Sequence, residues 1–133
     1  MDPQTQRLFV SCLNKLIVVV AADTGKVVTQ LPIGAGSDAV AFDPKRKLVF
    51  SSNGADGTLS IIRENDANSF SSLGEMKTAP TARTMGIDPA SGRLYLAAAE
   101  IAADSPPPAA GGPPRRPKLV PGSLKLLFLD PTT

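Results

Sequence analysis

The stretch "FDPKRKLVFSSNGADGTLSII", residues 42–62, joins an aspartate-proline turn to two short apolar runs separated by a connection rich in Asn and Gly. The chain repeats this order. Residues 1–20 read "MDPQTQRLFVSCLNKLIVVV", and residues 87–100 read "IDPASGRLYLAAAE", followed later by "SLKLLFLD" at 123–130. Asp2, Asp43 and Asp88 stand 41 and 45 residues apart, within the roughly 40 to 50 residues that separate propeller blades.

The runs are too brief for helices, show no sustained 3.6 period, and are rich in β-branched and large apolar residues, so each reads as a strand. Within a repeat the strands are labelled A to D, starting from the one that ends in Asp-Pro. Strand A is "SDAVAFDP" (37–44) and "ARTMGIDP" (82–89), and proline stops its ladder. Strand B is "LFVSC" (8–12), "LVFSS" (48–52) and "LYLAA" (94–98), aligned in one shared phase. Strand C begins at Lys15, Thr58 and Ser123. Strand D is "KVVTQLPI" and "SFSSLGEMK", entered through the turn-formers "DTGK" and "NDAN". One four-stranded antiparallel meander cannot bury both of its faces. The expectation is therefore all-β, with β-propeller blades stacked radially. A ten-stranded sandwich is the competing architecture, disfavoured by the common Asp-Pro punctuation.

On these residues, "DAVAFDPKRKLVFSSNGADGTLSII" resembles the YVTN-repeat (YncE-like) β-propellers, whose blades run apolar strand, Asp-Pro turn, strand, Gly-rich turn, strand. The resemblance covers nearly the whole chain outside residues 101–122. It implies a fold more than a function, because its relatives include surface-layer-type repeats, binding proteins and enzyme-like propellers.

The strand count runs B-C-D, A-B-C-D, A-B-C. It gives one partial propeller domain over 1–133, with a first blade 1–36 lacking its inner strand, a second 37–81, and a third 82–133 lacking its outer strand. This resembles the C-terminal portion of a larger propeller. Unpaired strand edges promote association, so a homodimer or higher homo-oligomer formed through open blade edges is expected, two copies giving about six blades.

The segment 101–122, "IAADSPPPAAGGPPRRPKLVPG", replaces the short B-to-C turn of the last blade. Its Pro and Gly density favours polyproline II or an irregular loop. On the expectation that B-to-C and D-to-A loops share one face, it projects over the mouth beside Asp38 and Arg83. The candidate ligand-binding face comprises Asp38, Arg83, Asn53, Asp56, Glu100, Arg115 and Arg116. The plainer alternative is a passive connector or subunit-contact arm, and "PPRRP" (113–117) is a weaker candidate for polyproline recognition.

Fourteen basic and twelve acidic residues leave a charge of +2, too little to argue for nucleic acid as a partner. The longest apolar run, 16–22, falls short of the ~20 residues of a spanning helix. "MDPQTQR" has no signal-peptide pattern, and the compartment stays open, with a periplasmic or extracellular site allowed if a longer chain carries a leader. Cys12 reads as a small buried hydrophobe. The sequence has no histidine, which removes Ser-His-Asp and Cys-His pairs and most zinc sites. No cofactor or metal is expected. Asp2, Asp43 and Asp88 read as caps on their own turns. Three functions remain open: a non-catalytic repeat module binding a protein or small ligand, a lactonase-like propeller hydrolase built on Asp38, Arg83 or Glu100, and a structural cell-envelope or surface-layer component.

Overall fold

The structure is a computed structural model that describes residues 1–107 and 116–132, and among them every regular element is a β-strand. The first sheet orders β1 (Arg7–Cys12), β2 (Leu16–Ala21) and β3 (Val27–Pro32); the second orders β4 (Ser37–Asp43), β5 (Leu48–Asn53), β6 (Thr58–Asp66) and β7 (Ser69–Lys77). The third orders β8 (Thr84–Ile87), β9 (Leu94–Ala98) and β10 (Lys125–Leu129). Every pairing is antiparallel between chain neighbours, as a meander requires. No helix among the described residues is long and apolar enough to cross a membrane.

The Asp-Pro turns set the phase of each sheet, and they correct the alignment drawn from the apolar runs. Four residues after each aspartate the backbone turns left-handed, at Gln6 (φ 55°), Lys47 (φ 55°) and Gly92 (φ 79°). The residue after that faces the aspartate across the ladder: Asp2 pairs Arg7, Asp43 pairs Leu48, and the Asp88 amide donates to the Arg93 carbonyl at 2.9 Å. Leu48 thus matches Arg7 and Arg93, and "LVFSS" starts one residue earlier in the repeat than "LFVSC" and "LYLAA". A one-residue slip exchanges the two faces of a strand. The true equivalents are Leu8, Val49 and Leu94 on one face, and Phe9, Phe50 and Tyr95 on the other.

That parity builds two apolar layers. Phe9, Ile17, Val19 and Ile33 of the first sheet close on Val49 and Ile62 of the second, with Phe42 and Phe70 set against the Phe9 ring at centroid separations of 5.3 and 6.1 Å. Phe50 and Leu59 on the opposite face of the second sheet close on Ala82, Leu94, Leu96 and Ala98. Each large side chain so enclosed contributes roughly 1.5–3 kcal/mol. With layers on both sides, Val49 to Asn53 is buried at every position.

The buried polar residues of that stretch are mutually satisfied. The Ser37 and Ser51 hydroxyls lie 2.7 Å apart, and Asn53 Nδ2 donates to Ser60 Oγ at 2.8 Å and Thr58 Oγ1 at 3.0 Å. The turn aspartates cap as their position demands: Asp2 accepts the Gln4 amide, Asp43 the Lys45 and Arg46 amides, and Asp88 the Ala90 and Ser91 amides. At the base of the insertion a bridge joins Ile101 to Leu119. The Ala102 amide donates to the Lys118 carbonyl and the Val120 amide to that of Glu100, both at 2.9 Å.

Candidate functional site

The links that carry the chain from one sheet into the inner strand of the next converge on one rim of the stack. Two residues there stand at equivalent positions, Asp38 at the head of β4 and Arg83 just before β8, and their side chains pair with Arg83 Nη2 at 3.2 Å from Asp38 Oδ1. The Arg83 backbone is fixed from beneath. Its neighbour Ala82 is wholly buried, and Ser52 Oγ donates to the Arg83 carbonyl.

Thr81 locks the same link to the end of β9. Its hydroxyl donates to the Ala99 carbonyl at 2.7 Å and accepts the Ala99 amide at 2.8 Å, while its own amide donates to Gly54 O at 2.8 Å. Thr81 holds φ at 71°, a left-handed backbone that a β-branched residue adopts only when its surroundings impose it.

Between this rim and the insertion lies a groove of about 850 Å³. Exposed Leu13, Ile101, Leu119 and Leu124 supply apolar wall, Pro106, Pro107 and Pro117 supply rigid wall, and Asp38, Arg83 and Arg116 are its charged groups. Groove sites of several hundred Å³ with apolar walls and few charged groups suit ligand binding. The ion pair leaves Asp38 and Arg83 neutral as a unit, and Arg116 adds an exposed guanidinium.

The other sequence candidates lie elsewhere. Glu100 lines an adjoining pocket of about 420 Å³ that shares Pro80, Ala98, Ala99 and Ile101 with the groove, and it pairs with Lys125 at 2.7 Å; the ammonium holds the Glu100 carboxyl below its ordinary range. Asp56 is exposed and accepts the Ala35 amide at 2.6 Å, tying the hairpin turn to the inter-sheet link. Asn53 is fully buried, so it belongs to the interior network and not to the loop surface. The one-residue phase correction explains this, because it turns Asn53 into the layer against the first sheet. Arg115 lies outside the described residues. Sequence reasoning missed Leu13, Thr81, Leu119 and Leu124. Leu13 and Leu124 carried a readable signal, a large apolar residue beside a turn with no partner in its own strand.

At the opposite rim, the wholly buried Asp2 receives Lys47 Nζ at 2.8 Å, and Thr5 Oγ1 donates to Glu64 Oε1 at 2.7 Å. Burial opposes ionisation of Asp2, yet the hydrogen bonds from Lys47, the Gln4 amide and its neighbours outweigh it and lower its pKa to about 2. Burial dominates at Glu64 and raises its pKa, helped by the negative charge of Asp2. Its Oε2 has no hydrogen-bond partner. Among the described residues, no three or more His, Cys, Asp or Glu side chains gather as a metal site would require.

No protein-family model matches the chain, and no curated protein does. Solved structures do. The chain is similar to Kuenenia stuttgartiensis hydrazine synthase, with TM-score 0.66 and 20% identity over 79% of this chain and 29% of that one. It is also similar to the dihydro-heme d1 dehydrogenase NirN in complex with DHE, with TM-score 0.60 and 13% identity over 97% of this chain and 22% of that one. The chain therefore spans under a third of the length of either neighbour. At these identities the likeness shows the fold alone, and the fold is that of β-propeller blades.

Proposed function

We propose that this chain is a non-catalytic β-propeller module of the YVTN-repeat kind, which binds a ligand in the groove between Arg83 and the insertion and completes its ring by self-association. The groove carries the reading: walls from several connections and from residues 101–107 and 116–119 meet over about 850 Å³ around Arg83 and Arg116. An apolar wall beside the exposed Arg116 guanidinium suits a ligand with an apolar body and a carboxylate, whether a small molecule or a peptide end. The hydrolase alternative has less in its favour, since Glu100 is held by Lys125 and Asp38 by Arg83.

The experiment is a titration of isotopically labelled protein with medium-chain carboxylates, followed by amide chemical shifts. Shifts gathered at Leu13, Arg83, Ala97 to Ile101 and Leu119 support the groove, and Arg116→Ala weakens the affinity about tenfold through loss of a charged hydrogen bond. Shifts absent, or scattered over the outer strands β3 and β7, overturn it.

A further inference from the structure

The two outward faces of the stack carry the same positions as the faces buried inside it. In the turn-based frame Tyr95 corresponds to Phe9 and Phe50, and its ladder partner Phe128 corresponds to Val19 and Ile61. In the first and second sheets these positions face the following sheet; Phe9 and Phe50 are only 9% and 7% exposed. In the third sheet Tyr95 is 36% exposed, Phe128 56% and Leu126 58%. The first sheet shows the converse. Leu8 and Val10 correspond to Leu94 and Leu96, which are buried against the preceding sheet, yet both are exposed.

The polar contacts between sheets do not repeat position by position: Leu48 and Gly92 of the second and third sheets stand where Arg7 and Lys47 stand in the first and second, and Lys45 Nζ donates to the Ala90 carbonyl instead. Arg7 reaches the turn after β6, where Nε donates to the Ala67 carbonyl at 2.6 Å and Nη2 to Asn68 Oδ1 at 3.1 Å. Arg93 is its equivalent in the third sheet, but there it is held within its own sheet by Asp130, with Nε 2.6 Å from Oδ1 and Nη2 3.1 Å from Oδ2. Asp2 is met by Lys47, the left-handed turn residue of the following sheet. Asp88 is its equivalent, and the left-handed turn residue of the first sheet is Gln6, whose amide can donate to a carboxylate.

From the matched apolar positions we infer that the third sheet of one copy packs face to face on the first sheet of a second copy, with Tyr95, Leu126 and Phe128 covering Leu8 and Val10. The contact is heterologous, head to tail, and two copies that close it in both directions make a ring of about six blades. This deepens the self-association in the proposed function and rests on it. It places the contact on blade faces, where the apolar area lies, and leaves the strand edges unpaired.

The test is solution mass by light scattering on the chain, on Val10→Asp, on Leu126→Asp, and on an equimolar mixture of the two variants. The chain is expected at twice its 13.8 kDa, each variant as a folded monomer, and the mixture as a dimer, because one intact tail still meets one intact head. A monomeric chain overturns the inference. So does a dimer that survives in both variants, or a mixture of folded variants that stays monomeric. Should either variant fail to fold, milder changes decide: Leu8→Ser and Phe128→Ser, both exposed in the single chain, each weaken dimerisation about tenfold, whereas unchanged dimerisation in both overturns the contact. The groove lies within one chain, so the carboxylate titration performed on Val10→Asp separates failure of the face contact from failure of the binding reading.

Discussion

Lys47 Nζ stands 2.8 Å from Asp2 Oδ2, and the two partners are unequal: the carboxylate is wholly enclosed while the lysine stem remains a third exposed. Lys47 also donates to Gln4 Oε1 at 2.9 Å and lies 5.8 Å from the Phe42 ring centroid. It therefore bolts the turn of the first sheet onto the second. Removing the cation strands a buried charge, which costs far more than an exposed pair gains. Lys47→Met is expected to lower unfolding free energy by about 3 kcal/mol, measured by urea denaturation at neutral pH. A loss below about 0.5 kcal/mol would show a solvent-screened pair instead.

The same cluster sets the acid response. Asp2 is depressed, so its stabilisation is present above its ordinary value of 3.8 and fades as pH falls toward about 2. Glu64 is raised, so its folded state holds a proton that the unfolded chain releases near 4.5; stability is greatest below that value and falls as pH rises through the folded pKa. The two slopes oppose each other and place maximum stability in mildly acidic solution. Glu64→Gln removes the second slope, so stability no longer declines as pH rises toward neutral. Denaturation curves between about pH 3 and about pH 8 check both limbs, and a variant with the parent's decline toward neutral pH would refute the assignment.

Left-handed turn residues give a matched pair of substitutions. Gln6 occupies a conformation that costs an L-residue about 1–2 kcal/mol, partly offset by the entropy that glycine loses on folding. Gln6→Gly should raise stability by about 0.5–1 kcal/mol. Gly92→Ala should do the reverse and more, because at φ 79° its Cβ would fall 2.8 Å from Asp43 Oδ2 and within the reach of the Arg46 guanidinium. Thermal melts of the two variants moving in the same direction would contradict the shared turn geometry.

Thr81 offers a check on the groove wall. Thr81→Val keeps the β-branched shape but deprives both the Ala99 amide and its carbonyl of their partner. The expected cost is about 2 kcal/mol, accompanied by faster hydrogen exchange at Ala99 and little change in the first sheet. Uniformly faster exchange throughout the chain would mean that the contact is not local.

Much of this architecture was legible because the strands obey local chemistry. Proline after Asp2, Asp43 and Asp88 ended the inner strand, short β-rich runs set the strand count, and the meander followed from tight turns. The phase of the second sheet was less legible. The eye aligns Leu48 with Leu8 and Leu94, and the marker that corrects it is a backbone conformation carried by Gln6 and Lys47, residues without glycine's signature. The candidate site suffered from the same blindness. Asn53 looks like a turn residue in "NGADG", and only strand parity reveals that it faces inward. Arg83 and Asp38 could be placed side by side because their positions repeat, whereas Leu119 becomes a groove residue only when the insertion's two ends meet.

That meeting has a practical meaning for engineering. With Ile101 bridged to Leu119 and one backbone hydrogen bond on either side of the bridge, the insertion enters and leaves the scaffold at a single antiparallel crossing, where paired Cα atoms are about 4.5–5.5 Å apart. Such a junction is a socket: it fixes where a segment begins and ends without dictating its content or, given that doubling a loop costs only about 0.6 kcal/mol, its length. The scaffold can thus display interchangeable peptides above its groove, as a designed binder displays a recognition loop.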